Sequence, residues 1–281
     1  MKMLLEFKDE VEEALQSAFS GDTLLGEAIS AALLSEGKRI RPILVHLVSD
    51  ALGYKMPVMP AALASEYFHT ASLIADDLPC MDNDDFRRDK PSLHKLYGER
   101  VALLASYALI SEGFLQIEKN GALMRNTHLK EQAFEATTIA LASASNSCGI
   151  RGAVLGQFYD LERSSTTLLE LEEVIYLKTI VLFEGAFILG WLFGGGEFNK
   201  LEAVKRLAKH FGMAFQIRDD LLDFGQDKKR ESAANFAITL GKEEAFSRLN
   251  SEVNAFLELL QELNLLTPAF KEIADRLRSL I

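Results

Sequence analysis

The feature that most constrains the fold is the spacing of apolar residues, which recur at intervals of three and four through most of the 281-residue chain. Leu171, Val174 and Leu182 illustrate the pattern. Such spacing puts apolar side chains on one face of an α-helix, and the sustained alternation typical of strands is absent. The sequence therefore predicts an all-α protein, with helices at 3–19, 24–35, 40–52, 58–77, 98–118, 129–146, 149–163, 168–193, 199–223, 241–263 and 268–279.

Composition gives no sign of a domain boundary. The chain has only six prolines, no Pro-, Gly- or Ser-rich stretch, and a hydrophobic fraction of 48%, enough for one large core. Several predicted helices carry few charges in their middles, as expected for helices surrounded by other helices. We therefore predict one domain spanning 1–281, a bundle of about 10–11 core helices.

Charge and cysteine content exclude several function classes. The net charge is −11 and no basic face is interleaved with aromatic residues, so we expect no nucleic-acid partner. The two cysteines, Cys80 and Cys148, fit neither a disulfide framework nor a metal-ligand spacing, and no signal-peptide pattern opens the chain. The most apolar run, 185–193, is far shorter than the roughly 20 residues of a membrane span. The expectation is a cytoplasmic protein with no membrane span.

One acidic cluster directly follows an apolar helix. Asp76 and Asp77 come at its end, and Asp82 lies six residues further on. Neighbouring carboxylates repel one another unless a cation sits among them, and hard oxygen ligands of this kind suit magnesium. Pro79 is expected to end the helix and to redirect Asp82.

A second acidic cluster lies within a later predicted helix. Gln216, Asp219, Asp220 and Asp223 follow the i, i+3, i+4, i+7 pattern and so share one face. Either cluster alone is equally typical of solvated surface acids. Two such clusters, each on an apolar helix, favour a site in which magnesium ions are bridged by a diphosphate.

Basic residues supply the donors that a second, metal-free diphosphate needs. They lie in the run EGKRIRP at 36–42, which contains Lys38 and Arg41, and in the pair Arg87 and Arg88. Lys178 falls on an apolar helical stripe and, with Thr179, is placed to reach a bound phosphate. Each of these basic groups alone is more often a solvated segment. Only their occurrence together with the two acidic clusters indicates a diphosphate site.

The motifs together resemble a known family. Residues 76–94, DDLPCMDNDDFRRDKPSLH, resemble the first aspartate-rich motif of short-chain trans-prenyl diphosphate synthases, and residues 215–223, FQIRDDLLD, resemble the second. EGKRIRP, GQFYDL at 156–161 and the pair 178–179 follow in matching order, so the resemblance covers nearly the whole chain. It implies the isoprenoid synthase fold, a single bundle around a central cavity, and a homodimer.

The resemblance also implies an activity, a prenyltransferase that condenses isopentenyl diphosphate with an allylic diphosphate to give a short-chain prenyl diphosphate. It assigns isopentenyl diphosphate to Lys38, Arg41, His69 and Arg88, and the allylic substrate to Arg87, Lys178, Thr179 and Gln216. Three magnesium ions per site are expected, with Asp76, Asp82 and Asp219 as direct ligands and Asp77, Asp220 and Asp223 supporting them.

Product length in this family depends on the residues before the first motif. Ala71, five residues before Asp76, stands where farnesyl-producing relatives resemble one another in carrying an aromatic ring, so geranylgeranyl diphosphate is favoured over farnesyl diphosphate. Ser72 is a second candidate. Tyr107 stands where the family usually has an Asp, and it is expected to lie on the neighbouring helix and to fill part of the space that Ala71 leaves.

Several positions depart from the family pattern. Glu36 and Asp89 each replace a glycine, and residues 224–241 are shorter than usual, with Ala233 and Ala234 near a lost lysine. The basic run 228–230 is placed to take over that diphosphate contact, and a solvated basic loop is an equally good interpretation of it. The departures leave open a non-catalytic or regulatory subunit of the same fold. A class I terpene cyclase is a weaker alternative, because it has no second diphosphate to hold.

Overall fold

A computed structural model describes residues 2–19, 21–162, 167–230 and 235–279, without the side chains of residues 2, 3 and 226–230. The prediction of an all-α fold is confirmed. In chain order the α-helices are α1 (Lys2–Gln16), α2 (Leu24–Leu33), α3 (Ile40–Leu52), α4 (Met59–Asp76), α5 (Leu93–Tyr97), α6 (Glu99–Met124), α7 (Ala133–Cys148), α8 (Ala153–Glu162), α9 (Leu168–Ile175), α10 (Val181–Phe193), α11 (Leu201–Arg230), α12 (Phe236–Leu240), α13 (Lys242–Glu262) and α14 (Pro268–Arg278).

Local structure departs from the predicted helices at a few points. The helix predicted at 98–118 continues to Met124, and the one predicted at 199–223 continues to Arg230. A hairpin of two-residue strands, β1 (Phe86–Arg87) and β2 (Lys90–Pro91), was not predicted. Between α9 and α10, residues Tyr176–Ile180 form a π-helical turn.

The chain divides into two compact units, residues 1–144 with 189–195 and residues 145–188 with 196–281. The first carries the first acidic cluster, and the second carries Lys178 and the second acidic cluster. One domain over 1–281 stays a prediction.

The first unit is built around α4, whose residues are buried on nearly every side. Small residues let α6 approach closely: a Cβ on Gly113 would lie 2.5 Å from the ring of Phe68. On another side of α4, Leu63, Tyr67 and Ala71 join a continuous core with residues of α1, α2 and α6. An apolar helix enclosed in this way holds its C-terminal residues in place.

The start of α4 is fixed by Asn120 of α6. Its Oδ1 accepts a hydrogen bond from the Ala61 N–H at 3.0 Å, and its Nδ2 donates to the Pro57 carbonyl at 3.2 Å. The first N–H groups of a helix have no partner within the helix, so Asn120 supplies one from outside. This fully buried amide therefore ties α6 to the beginning of α4.

The second unit has an aromatic core. Phe187 and Phe211 stack edge to face at 5.5 Å, and both approach Phe256. Phe183 and Phe270 extend the cluster. Rings at these spacings bury large apolar areas and pack in preferred orientations, which holds α10, α11, α13 and α14 around one core.

Two helical stretches within the described residues, Glu99–Met124 and Leu168–Phe193, are long and apolar enough to span a membrane by length and composition alone. The apolar window of the second is 72% buried, as in the core helix of a water-soluble protein, whereas that of the first is only 39% buried. The outer face of α6 is therefore apolar and uncovered in a single chain.

Candidate active site

The first acidic cluster lies at the end of α4 and in the turn that follows it. The helix ends at Asp76, and the Asp82 N–H donates back to the Asp76 carbonyl at 2.9 Å. Pro79 lies inside this turn, where the missing N–H is tolerated. Asp76 is half-buried and Asp82 is exposed, so the turn brings two acidic residues together at one end of the buried helix.

Asp77 has a different environment from its neighbour. Its side chain is buried, and its two carboxylate oxygens accept from Nε of Arg87 at 2.7 and 2.9 Å, while Nη2 of Arg87 lies 2.5 Å from Oδ1. Burial raises the pKa of Asp77, partly offset by Arg87. Burial also acts to lower the pKa of Arg87, but the hydrogen bonds and charge of Asp77 outweigh it and the pKa is raised. The geometry is that of a forked ion pair.

The hairpin β1–β2 presents Arg87 and Arg88. Its two-residue loop, Arg88 and Asp89, has φ values of 55° and 61°, as a type I′ turn requires. Aspartate tolerates this left-handed conformation better than most residues, which explains how Asp89 replaces the family's glycine. Nη1 of Arg88 donates to the carbonyl of Glu36, so the hairpin is tied to the loop that carries Lys38.

The loop before α3 is held by Arg39, whose role sequence reasoning missed. Its guanidinium is buried and donates to Glu66 at 2.6 Å, to Glu12 at 2.8 Å and to the carbonyls of Leu33 and Ser35 at 2.7 and 2.8 Å. The available signal was Glu66, an acid in the middle of an apolar helix, which requires a buried partner. Arg39 thereby fixes the backbone on either side of Lys38.

The residues expected to hold isopentenyl diphosphate occupy this part of the first unit. Lys38 is exposed, and Arg41 is buried, with a pKa that burial lowers to about 10. Burial, and then the charges of nearby arginines including Arg41 and Arg88, holds the pKa of His69 well below its ordinary value. Burial and the neighbouring guanidinium groups therefore disfavour the charged form of the His69 imidazole.

His69, Asp77, Arg87 and Arg88 line a common cavity of about 140 Å³. Its other walls come from the ends of α2 and α5, including Leu34 and Leu96, and from Arg39 and Glu66. Lys38 and Arg41 are not among the lining residues. The cavity thus combines an arginine-rich side with an apolar side, and only part of the expected substrate set meets there.

In the second unit, Lys178 lies in the π-helical turn and pairs with Asp160, with Nζ and Oδ2 2.5 Å apart. A π-turn inserts an extra residue into a helix and often occurs at functional sites. Gly156 lets α8 approach the backbone of this turn, because a Cβ there would lie 2.3 Å from the backbone nitrogen of Lys178. Lys178 and Thr179 are half-buried, so both retain contact with solvent.

The second acidic cluster lies on α11, and its members differ in exposure. Asp219 is half-buried and 3.5 Å from Arg218 Nη1, Asp223 is exposed, and Asp220 is buried. Nε2 of Gln216 donates to Oδ1 of Asp220 at 2.8 Å. Asp219 and Asp223 are therefore the members of the cluster most open to a cation.

Whether these residues fit magnesium depends on how many carboxylate ligands each of the two units offers. No group of three or more His, Cys, Asp or Glu side chains suited to a metal occurs among the described residues. Magnesium keeps much of its water and usually takes one or two carboxylates plus substrate phosphate oxygens. Asp76 with Asp82, and Asp219 with Asp223, are sets of that size, so the donor chemistry fits.

The chain-length candidates lie on α4 and α6. Ala71 is buried in the core of the first unit, and its carbonyl accepts from Ser106 Oγ at 2.9 Å. Ser72 is half-buried four residues before Asp76, on the same face of α4. Tyr107 is 59% exposed, so its ring does not fill the space beside Ala71, where Ser106 lies instead. Of the shortened segment, Ala233, Ala234 and the side chains of 228–230 lie outside the described residues.

These features can be compared with known proteins. Residues 22–234 match the model of the polyprenyl synthetase family. An all-α chain with two aspartate clusters on its helices and arginines beside the first is consistent with that match. The chain belongs to the polyprenyl synthetase family.

Among named relatives, the heterodimeric geranylgeranyl pyrophosphate synthase large subunit 2 of Arabidopsis thaliana is 39% identical over 249 residues, 86% of this chain and 62% of its own length. Geranylgeranyl pyrophosphate synthase 7 of the same plant is 39% identical over 241 residues, 83% of this chain and 65% of its own. The chain thus spans less than two thirds of these curated relatives.

Solved bacterial structures match over nearly their full length. An FPP/GFPP synthase from Zymomonas mobilis superposes with a TM-score of 0.84 at 27% identity, covering 100% of this chain and 98% of that one. A geranyltransferase from Legionella pneumophila gives 0.80 at 30% identity, covering 98% and 96%.

Proposed function

We propose that the chain is a short-chain trans-prenyl diphosphate synthase that joins isopentenyl diphosphate to an allylic diphosphate. The observation that carries the proposal is the arginine-lined cavity, which His69 also lines, directly beside the Asp76 end of α4. A cyclase that consumes a single diphosphate has no need of this second anion-binding set. Family membership and the names of the relatives support the same activity.

In the proposed reaction the C1–O bond of the allylic substrate breaks, and the diphosphate leaves with the electron pair. The double bond of isopentenyl diphosphate then forms the new C–C bond, and a proton is lost from the resulting cation. Magnesium held by Asp76, Asp82 and Asp219 would supply positive charge for the leaving diphosphate. Arg87, Lys178, Thr179 and Gln216 orient the allylic substrate, and Lys38, Arg41, His69 and Arg88 orient isopentenyl diphosphate.

For the product we propose geranylgeranyl diphosphate. Support comes from the methyl side chain of Ala71 in α4, and from relatives named as geranylgeranyl pyrophosphate synthases. Each further isoprene unit buries five carbons, whereas a ring in the same space imposes a clash of about 1–3 kcal/mol. Chromatography of the products should show that Ala71→Tyr shortens the main product to farnesyl diphosphate. Tyr107→Ala should leave the product unchanged, because the exposed Tyr107 ring lies outside the space beside Ala71. Farnesyl diphosphate as the sole wild-type product would contradict this proposal.

A homodimer is also proposed, through the outer face of α6. Leu104, Tyr107 and Leu115 are 53%, 59% and 43% exposed. Between Arg100 and Glu112 the helix carries no charged residue. Two copies with a net charge of −11 each repel one another, and contact through an uncharged surface such as this face of α6 keeps that repulsion small. A standard dimer buries about 800 Å² per partner.

Light scattering without detergent tests the dimer and should give twice the chain mass of 31.2 kDa. The double variant Leu104→Glu with Tyr107→Glu should be monomeric, whereas Leu5→Glu, at an equally exposed position on α1, should not change the mass. A monomeric wild type would contradict the dimer, and a requirement for detergent would indicate lipid as the partner of α6.

A further inference from the structure

Within the second acidic cluster, Asp220 is set apart by its partners. Its side chain is buried, and Oδ1 accepts from Gln216 at 2.8 Å while Oδ2 accepts the backbone N–H of Phe236 at 2.7 Å. Both carboxylate oxygens therefore point into the protein. Phe236 opens α12, sixteen residues further along the chain, so Asp220 joins the acidic face of α11 to the short helix near the end of the shortened segment.

Asn235 strengthens the same junction. Its Nδ2 donates to the Asp220 carbonyl at 3.1 Å, and its Oδ1 accepts from the Ile238 N–H at 3.0 Å, which caps α12. Asn235 and Phe236 are both fully buried. Main chain and side chain of Asp220 thus hold the first turn of α12, and α12 in turn packs on α11 and α13.

We propose that Asp220 is a positioning residue that anchors α12 to α11, and that it does not bind the magnesium held by its neighbours. The inference rests on the proposed function. Within the second acidic cluster it leaves Asp223 as the aspartate expected to support the magnesium ligand Asp219. A magnesium ligand presents an oxygen atom to the cation and to the water around it, whereas the side chain of Asp220 is buried and both of its oxygens accept hydrogen bonds within the protein. Asn235 and Phe236, near the end of the shortened segment, are thereby held against α11.

Asparagine at this position separates the two roles. Its carbonyl oxygen can accept from the Phe236 N–H, and its amide can donate to Gln216 once the Gln216 amide flips, so Asp220→Asn keeps the anchor and removes the charge. Asp220→Ala removes both. Asn235→Ala loosens the anchor while every aspartate stays in place, and it serves as a second variant if Asp220→Ala does not fold. Asp223→Ala, on an exposed position of the same helix, is the matched control.

Hydrogen exchange of the backbone amides of 236–240 tests the anchor without catalysis. Asp220→Ala and Asn235→Ala should raise the exchange rates by about tenfold or more, because each variant loses a buried hydrogen bond that holds the first turn of α12. Asp220→Asn and Asp223→Ala should leave the rates at the wild-type level. Unchanged exchange in both Asp220→Ala and Asn235→Ala would overturn the proposal, whether or not the protein proves to be a synthase.

The magnesium dependence of product formation tests the second half of the proposal. The magnesium concentration for half-maximal rate should rise less than about threefold in Asp220→Asn, because a charge held away from the cation contributes little. It should rise at least about tenfold in Asp219→Asn, which loses a direct ligand. Equal increases in both variants would make Asp220 a metal ligand and overturn the assignment. A wild type without product refutes the proposed function instead, and magnesium binding with inorganic pyrophosphate, measured by calorimetry, then gives the same comparison.

Discussion

Arg87 and Asp77 form a forked ion pair that joins the β1–β2 hairpin to the end of α4, with three nitrogen–oxygen contacts of 2.5 to 2.9 Å. The neighbouring Asp76, the last residue of α4, is half-buried. Adjacent aspartates of one motif thus have different environments: Asp77 fixes the hairpin that carries Arg87 and Arg88, whereas Asp76 is the one that we propose as a magnesium ligand.

The first prediction concerns stability. Asp77→Ala should lower the free energy of unfolding by about 1–3 kcal/mol, because it leaves the half-buried guanidinium of Arg87 without its carboxylate. Asp76→Ala should leave it unchanged or slightly raised, since one of several repelling charges is removed. Urea denaturation of both variants checks this. Equal losses from Asp76→Ala and Asp77→Ala would show that the pair has no structural role.

The second prediction concerns the metal. Activity should require magnesium, and Asp76→Ala and Asp219→Ala should each lower turnover by about 100-fold or more, because charge on the leaving diphosphate is no longer stabilised. Asp9→Ala, at an exposed position of α1, is the control for removal of one negative charge. Full turnover in chelator, or in either motif variant, would refute the metal assignment.

The third prediction concerns Gly156. Gly156→Ala places a Cβ 2.3 Å from the backbone nitrogen of Lys178, so α8 and the π-turn must separate. We expect a loss of about 1–3 kcal/mol or more in stability and a raised KM for the allylic substrate, because Lys178 moves with its backbone. Gly185→Ala is the control, since its Cβ would meet nothing closer than 3.7 Å and alanine favours a helix. Equal effects of the two substitutions would contradict a requirement for close approach at Gly156.

The fourth prediction concerns pH. His46 stacks on Phe7 at 4.8 Å, and burial lowers its pKa to about 4. In the unfolded chain His46 therefore binds a proton more readily than in the folded one. The stability that comes from burying neutral His46 is complete above about pH 6.5 and is lost as the pH falls toward 4. The loss should reach about 1–3 kcal/mol in the wild type and be absent in His46→Gln. Parallel pH profiles of the two proteins in chemical denaturation would contradict it.

The parts of this site that lie within one helix, and so follow the helical spacing of apolar residues, could be predicted from the sequence. The helix that ends at Asp76 and the shared face of Gln216 and Asp219 rest on apolar spacing within a single element, and the resemblance to prenyl diphosphate synthases is confirmed by the family match. Spacing says nothing, however, about which side chains meet from different elements.

The contacts that position the site join side chains from different elements. Asp77 meets Arg87 through a hairpin too short to show alternation, and Arg39 meets Glu66 across 27 residues. Asp220 meets Phe236 within the shortened segment 224–241, which has no regular pattern in the sequence. Each pair depends on tertiary packing, so the sequence predicts a supporting role at the metal for Asp77 and Asp220 but does not predict Arg87 or Phe236 as their partners.

The most direct measurement is an incubation of the purified protein with radiolabelled isopentenyl diphosphate, magnesium and each allylic diphosphate in turn. The proposed function predicts a labelled prenyl diphosphate longer than the primer, formed by the wild type and absent when Asp76→Ala and Asp219→Ala are combined. No labelled product with any primer, together with activation of a partner synthase by the same sample, would contradict it and identify a non-catalytic subunit.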